Sequence, residues 1–383
     1  MKRIMMPVFF TVAVVAAVFA FFSCDDNDAE QIPVGIVVPL TGEFESTGLN
    51  MKNGMELALE EINGSSMLGG AEIRFIIEDS ESTPEGARRA YAKLIEQDGV
   101  VAVLGPFTSR ATKEVIPVAH ENKVISFSPT SAADGLSAES EFVFRASLVV
   151  EHLVSSGISV TERELGYRRV ATITNSADTF SQSNLERLKK EFEKYEGIQI
   201  VSEQTYDPSE LSDLSAQLTE IKDADPDAIF ISALPSGRTE IPVQARRLGI
   251  DDVPFIATLL TVDDVKKANE RLAGAAEGAI TFTVWLAAVD TPENHIFLRN
   301  YREKYGQEPG AFAARSYEAT RILAQAIADA SSTDSPAIRD AMADIRVENT
   351  IFGDFYFDRN GDAVYEPIVG IVKSGRFEVL GQP

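Results

Sequence analysis

Short apolar runs alternate with amphipathic segments along almost the whole chain. The runs are rich in β-branched residues and lack polar alternation, which is typical of parallel strands buried on both faces. They cover residues 34–38, 73–77, 100–104, 124–127, 170–174, 198–201, 228–231, 255–257 and 279–283. Strands that alternate with helices favour a mostly parallel sheet covered by helices on both faces. The sequence therefore predicts a doubly wound α/β fold.

The segments between these runs have helical spacing. Apolar residues recur every three or four positions in residues 51–62, 87–95 and 185–195, and residues 313–330 form the longest predicted helix. Thr83 and Pro84 mark a helix start, because threonine caps a helix and proline suits its first turn. We expect the apolar stripes to form the core.

The length of the chain calls for more than one core. The 383 residues exceed the roughly 150 that one domain typically contains. No repeat, low-complexity tract or Pro- and Ser-rich linker divides the alternating region. We therefore expect two lobes that are not joined by a flexible linker.

The last part of the chain contains two hairpin signals, Asn360-Gly361 and Ser374-Gly375. Asp358, Asn360 and Asp362 also have the first spacings of a calcium loop. However, Ala363 and Val369 occupy the positions where such a loop needs glycine and glutamate. We therefore predict a turn and no metal site.

Composition and motifs exclude several functions. The formal net charge is -24, from 59 acidic and 35 basic side chains, so a nucleic-acid partner is not expected. One cysteine and three distant histidines cannot build a disulfide or a Cys-rich zinc site. No hydrolase, metalloprotease, P-loop or dinucleotide motif is present. No sequence motif identifies a nucleophile together with a base, so we expect neither an enzymatic activity nor a cofactor.

The beginning of the sequence is typical of an export signal. Lys2 and Arg3 precede an apolar run over residues 8–22, and Ser23-Cys24 is followed by acidic residues. We interpret residues 1–23 as a signal peptide and residues 24–31 as a polar linker. Cys24 stands where bacterial lipoproteins carry the lipidated cysteine, although a free or buried thiol remains the alternative. The expected location is periplasmic or at the cell surface, with the membrane contacted only through the lipid.

Several stretches, taken in order, resemble the leucine/isoleucine/valine-binding proteins, which are type I extracytoplasmic solute-binding components of ABC importers. They span nearly all of the chain after the signal and are residues 34–42 (VGIVVPLTG), 58–63 (ALEEIN), 103–109 (VLGPFTS), 126–130 (SFSPT), 144–145 (FR), 226–230 (PDAIF), 244–249 (QARRLG) and 357–362 (FDRNGD). Each stretch alone is weak, whereas the ordered set is specific.

The resemblance implies two Rossmann-like lobes joined by a three-segment hinge, with a small ligand held in the cleft between them. It assigns residues 32–146 and 280–350 to lobe one, and residues 147–279 and 351–383 to lobe two. It also implies ABC permease subunits as partners. We expect the protein itself to be a monomer.

A carboxylate-binding site is predicted where the strand that ends at residue 104 is followed by a helix. Free backbone N–H groups and the hydroxyls of Thr108 and Ser109 meet there at the positive end of the helix. The resemblance implies that Ser109 binds the ligand carboxylate. The alternative is that Thr108 or Ser109 merely caps the helix.

The resemblance places further residues near the ligand, and these are Phe44, Thr47, Thr130, Ser131, Ala132, Phe180, Leu234 and Leu259. Several of them lack the acceptors that hold an ammonium group in amino-acid-binding members. We therefore predict a carboxylate-bearing ligand without an α-ammonium. If the alignment of lobe two slips by a residue or two, Glu240, Asp263 or Asp264 would supply the missing acid.

We expect a ligand-binding lipoprotein that delivers a solute to a permease. The alternative is a lipoprotein of the same fold that signals to a receptor kinase. Neighbouring genes would separate the two functions, because a transporter needs permease and ATPase genes and a sensor needs a kinase gene.

Overall fold

The computed structural model describes residues 29–381. The predicted signal peptide and Cys24 lie outside the described residues. No helix within residues 29–381 is long and apolar enough to cross a membrane.

The strands form two large sheets and one small one. Their bounds are β1 Gln31–Val38, β2 Glu72–Asp79, β3 Ala102–Leu104, β4 Ile125–Ser128, β5 Val143–Arg145, β6 Arg169–Asn175, β7 Gln199–Tyr206, β8 Ala228–Ser232, β9 Phe255–Thr258, β10 Ile280–Thr283, β11 Arg346–Thr350, β12 Gly353–Phe357, β13 Ala363–Val364, β14 Ile368–Lys373 and β15 Arg376–Val379.

The first sheet has the order β2-β1-β3-β4-β5, and all its strands are parallel. The second has the order β15-β14-β10-β9-β8-β6-β7. In it β6 to β10 run parallel, and the β14–β15 hairpin adds an antiparallel edge. We refer to the part built on the first sheet as the first lobe and to the part built on the second as the second lobe.

Helices connect and cover these strands. Their bounds are α1 Glu45–Asn63, α2 Pro84–Glu96, α3 Ser109–Asn122, α4 Val150–Leu165, α5 Thr179–Phe192, α6 Ser215–Asp223, α7 Pro235–Arg247, α8 Val262–Arg271, α9 Pro292–Tyr305, α10 Ala311–Ala330 and α11 Ser335–Asp344.

Both faces of the central strand β1 are buried, as its continuous apolar run predicts. Val34 and Ile36 belong to a cluster that includes buried residues of α1 and α10. Val37 faces the opposite way, into a cluster that includes Tyr91 of α2 and Val115 of α3. The predicted doubly wound α/β architecture is confirmed.

The approach of α10 to α1 is unusually close. An added Cβ on Gly54 would lie 2.0 Å from the carbonyl oxygen of Ala313. Only glycine lets the two backbones come so near. This contact sets the position of α10, which carries a residue of the cleft described below.

Two of the predicted lobe boundaries differ from those that the observed sheets define. Residues 280–283 form β10, which pairs with β9 and β14, so they lie in the second lobe rather than in lobe one. Residues 353–364 lie with the first lobe, because Phe357 packs against Phe127 at 5.7 Å and Phe144 at 5.0 Å between ring centroids. The third of the three hinge segments that join the lobes therefore lies between β13 and β14 rather than at residue 350.

Both C-terminal turns form as predicted. Asp358 Oδ1 accepts hydrogen bonds from the N–H groups of Asn360 at 2.8 Å and Asp362 at 3.0 Å, which closes the turn between β12 and β13. Within residues 29–381, no group of three or more His, Cys, Asp and Glu side chains is placed to hold a metal ion.

Candidate functional site

A cleft runs between the lobes at the carboxyl ends of the parallel strands. Its walls are the segments that follow β3, β4, β6, β8 and β9, together with the first turns of α1, α3, α7 and α10. Ligands of open α/β sheets bind at this edge because the loops and helix N-termini meet there. Of the cavities in the described part of the chain, three line this cleft, and we call them the floor, middle and outer cavities.

The cavity at the floor of the cleft is formed by both lobes. The first lobe contributes Phe107, Ser109, Thr130, Phe312 and Arg315, and the second contributes Phe180, Pro235, Arg238 and Leu259. Its volume is about 30 Å³. Of the predicted ligand residues, the structure brings Ser109, Thr130, Phe180 and Leu259 together here.

The middle and outer cavities contain other predicted residues. Phe44, Thr108 and Leu234 line the middle one, and Phe44 and Thr47 line the outer one. Phe44 packs against Phe107, which lines the floor cavity. The ring centroid of Phe107 lies 5.3 Å from that of Phe44 and 5.3 Å from that of Phe312. The three rings form a continuous aromatic cluster on the first-lobe side of the cleft.

Ser109 is free to act as a donor rather than as a helix cap. Thr108 is the cap residue of α3, and its Oγ1 accepts the N–H of Ala111 at 3.1 Å. Ser109 Oγ instead accepts the N–H groups of Ala132 at 3.2 Å and Ala133 at 3.1 Å. Because these bonds occupy the oxygen, the hydroxyl hydrogen remains available to donate to an acceptor in the cavity.

The neighbouring loop supports Ser109 rather than lining the cavities. Ser131 Oγ is bonded to Ser128 Oγ at 2.8 Å and to Thr112 Oγ1. Ala132 is buried and engages Ser109 through its backbone. Neither Ser131 nor Ala132 lines one of the three cavities, although both were expected beside the ligand. Thr130 does line the floor, and its hydroxyl donates to the carbonyl of Phe107 at 2.6 Å.

The sequence analysis missed two arginines at the floor. Arg238 of α7 is 3% exposed, and its Nε lies 2.9 Å from Oδ2 of Asp264. The same oxygen of Asp264 accepts the N–H of Thr261 at 2.9 Å. Arg238 Nη2 has no hydrogen-bond partner within residues 29–381. Asp264 therefore balances the charge of Arg238 but leaves one of its nitrogen atoms unsatisfied.

Arg315 of α10 is fully buried, with 0% exposure, and none of its three guanidinium nitrogen atoms has a partner in the described part of the chain. Its guanidinium carbon lies 5.0 Å from the ring centroid of Phe312, which gives it a cation–π contact. Burial first, and repulsion from Arg238 in addition, lower the pKa of Arg315 to about 10. The side chain is therefore still charged at neutral pH.

A sequence signal for Arg315 did exist. It is the one charged residue in the segment Ala311–Tyr317, where alanine and aromatic residues indicate a buried helix turn. A charge at such a position is costly unless it has a partner, so it is a candidate for function. Arg238 carries no comparable signal, because its burial depends on contacts with distant segments.

Two of the acids near the cleft are held in ion pairs with arginines, whereas Glu43 lines the middle and outer cavities. Asp264 is paired with Arg238, and Glu240 is paired with Arg271. Asp178 lines the middle cavity, but its Oδ2 caps α5 by accepting from the N–H and hydroxyl of Ser181, both at 2.8 Å. Among residues 29–381, no acid lines the floor cavity.

Comparisons with known proteins show which family the chain resembles. A family model described as periplasmic binding protein matches residues 31–372. The Leu/Ile/Val-binding protein homolog 1 of Brucella melitensis is 26% identical over 369 residues, which cover 92% of each chain. The crystal structure of a leucine binding protein LivK from Thermotoga maritima superposes with a TM-score of 0.83 at 27% identity, covering 91% of this chain and 98% of that one.

A second solved structure is equally similar in fold. The branched-chain amino acid transporter substrate binding protein LivJ from Streptococcus pneumoniae, in complex with isoleucine, has a TM-score of 0.83 at 26% identity. The match covers 92% of this chain and 99% of that one. These similarities extend over both lobes.

Replacing Arg315 tests whether its charge has a partner inside the protein. In ligand-free protein we expect Arg315→Met to raise the free energy of unfolding by about 1–3 kcal/mol, because a buried unpaired charge is replaced by an apolar side chain of similar length. Urea unfolding of the purified protein, stripped of bound solute, measures this change.

Arg145 provides the matched control. It is also 0% exposed, but it is paired with Asp362 and hydrogen-bonded to Ser137. We expect Arg145→Met to lower the free energy of unfolding by about 3–5 kcal/mol, since it leaves Asp362 without its partner. An equal loss in both variants would show that Arg315 is already satisfied within the folded chain.

Proposed function

This chain belongs to the periplasmic binding protein family, and we propose that it is the extracytoplasmic solute-binding lipoprotein of an ABC importer. In this function it captures a small carboxylate-bearing solute between its lobes and presents it to a membrane permease. The lipid anchor would be carried by Cys24.

The observation that carries this proposal is the floor cavity, which is shared by both lobes. A solute that reaches this floor from the wider middle and outer cavities touches Ser109 of the first lobe and Leu259 of the second at the same time. Such a ligand stabilises the closed arrangement of the lobes, and a permease can recognise that arrangement. Binding followed by release requires no covalent chemistry.

A transport function is favoured over a receptor-kinase sensor by the compared proteins. The Streptococcus protein is described as a transporter substrate binding protein, the Thermotoga protein as a leucine binding protein and the Brucella protein as a Leu/Ile/Val-binding protein homolog. No feature of the described residues favours a sensor.

The chemistry of the floor favours an acid that lacks an α-ammonium group. Ser109 offers a donor, and Phe180 and Leu259 offer apolar surface. Arg315, whose charge has no bonded carboxylate in the described residues, would repel a positive charge. Burying an ammonium group without acceptors costs several kcal/mol, which exceeds the gain of about 1 kcal/mol from one extra apolar contact. In this respect the proposed ligand differs from the isoleucine of the Streptococcus complex.

Ligand chemistry is tested by calorimetry on refolded protein. We expect 4-methylpentanoate to bind more tightly than leucine, and 3-phenylpropionate more tightly than phenylalanine, because each acid lacks the ammonium group. Micromolar binding of either amino acid, with its deaminated partner bound at least about tenfold more weakly (about 1.4 kcal/mol), would contradict the proposal. Asp178 would then be the first acid to examine.

Ser109→Ala is expected to weaken binding of the preferred acid by about 1–3 kcal/mol, since a buried carboxylate loses one hydrogen bond. Ser335→Ala is a matched control, because Ser335 Oγ also accepts a backbone N–H, that of Ile125 at 3.2 Å, but lies outside the three cavities. Calorimetry of both variants should show a loss of affinity only for Ser109→Ala. Unchanged affinity would mean that Ser109 only positions the neighbouring loop.

The anchor is tested by fractionating cells that produce the full-length protein. The wild type is expected to require detergent for extraction, whereas Cys24→Ala should release soluble protein. Stable anchoring generally needs more than one acyl chain, so mass spectrometry of the wild-type N-terminus should show several. Equal solubility of the two forms would rule out lipidation at Cys24.

A further inference from the structure

The floor of the cleft contains two guanidinium groups that come from opposite lobes. Arg315 belongs to α10 of the first lobe and Arg238 to α7 of the second, and both line the same cavity. Within residues 29–381, all three guanidinium nitrogen atoms of Arg315 and Nη2 of Arg238 lack a hydrogen-bond partner. Unsatisfied donors in a buried position destabilise the folded chain, so their partner is expected to come from outside it.

The number of donors exceeds what one carboxylate can accept. A carboxylate has about four lone-pair sites, whereas an arginine side chain carries five N–H donors. Arg315 alone therefore exceeds that capacity, and Nη2 of Arg238 adds further donors. The hydroxyl of Ser109 is a separate donor at the start of α3. A ligand whose single carboxylate is bound at Ser109 leaves the buried donors of Arg315 unsatisfied.

The balance of charge at the floor also favours a ligand with a second acidic group. Asp264 neutralises Arg238, but no carboxylate is bonded to Arg315. The N-terminus of α3 beside Ser109 adds partial positive charge. The floor therefore has two separate centres of positive potential, one at Arg315 and one at the start of α3. Phe107, Phe180 and Phe312 provide apolar surface around them.

We propose that Arg315 and Arg238 form a second anion site, and that the ligand is an apolar acid with two acidic groups. One group is bound at Ser109 and the other between the arginines, with the apolar part of the ligand against the aromatic walls. This inference rests on the proposed function, because it assigns the second half of the same site.

The same arrangement couples closure of the lobes to the charge of the ligand. Without a ligand, Arg315 and Arg238 face one cavity from opposite lobes, and the charge of Arg315 has no bonded carboxylate in the described residues. An acidic group between them supplies that missing negative charge and accepts hydrogen bonds from both lobes. A solute without the second acidic group leaves the charge of Arg315 uncompensated and stabilises the closed arrangement of the lobes less.

The test compares two acids that carry the same phenyl group. Calorimetry of the refolded full-length chain is carried out with benzylsuccinate, which has two carboxylates, and with 3-phenylpropionate, which has one. For the wild type we expect benzylsuccinate to bind at least about tenfold more tightly. In Arg315→Met, benzylsuccinate should lose about 30-fold or more in affinity, whereas 3-phenylpropionate should change by no more than about threefold.

Lys266→Met is the matched control. It removes the same unit of charge from an exposed position on α8, outside the three cavities. The preference for benzylsuccinate should survive in this variant, because a screened surface charge contributes little.

Two results would overturn the inference, and they are distinguishable. If both acids bind equally well to the wild type and Arg315→Met weakens both to the same extent, the arginines serve a single carboxylate. In that case the second anion site is wrong and the proposed function stands. If neither acid binds and phenylalanine does, the proposed ligand class fails together with the second site. The comparison on the wild type needs no variant and therefore does not depend on how Arg315→Met folds.

Discussion

The parallel arrangement of the central strands is the constraint on which the site depends. In a parallel sheet all carboxyl ends reach the same edge, so the loops after β3, β4, β8 and β9 are brought to the cleft without regard to their distance in sequence. Helices α3 and α7 begin at that edge, so their free N–H groups and first side chains face the ligand region. A hydroxyl donor such as Ser109 therefore lies at the cleft as a consequence of topology.

Close backbone packing adds the second half of the site. Gly54 of α1 lets α10 approach until a Cβ at that position would overlap the carbonyl of Ala313. Arg315 lies half a turn further along α10 and is held at the floor against Phe312. A larger residue at position 54 would push α10 outward, so the core of the first lobe and the geometry of the cleft are mechanically linked. The precision of the cleft therefore depends on contacts well outside it.

Arg145 and Arg315 show how the surroundings give the same side chain different roles. Both are fully buried, but Arg145 is bonded to Asp362 and Ser137, which ties β5 to the turn before β13 and stabilises the folded chain. Arg315 has no such partner in the described residues, so its burial destabilises the ligand-free protein. Stability of this kind is given up where binding needs donors that are already in place. Degree of burial alone does not distinguish the two residues, whereas their hydrogen-bond partners do.

The sequence by itself determined the elements, and tertiary structure decided which of them share a site. Local patterns sufficed for β1 to β4 and β6 to β10, for the cap at Thr83 and for the turns at residues 358–362 and 374–375, because β-branched runs, capping hydroxyls and Asx turns act within a few residues. The three-residue strand β5 was not predicted. The position of Ser109 at a helix start was equally readable. The lobe of β10, the support role of Ser131 and the burial of Arg238 were not readable in this way. Each depends on a partner in another element, which is β14 for β10, Thr112 of α3 for Ser131 and Asp264 of α8 for Arg238. Hydrogen bonds and ion pairs between distant segments leave no periodicity in the sequence, so only the folded chain reveals them.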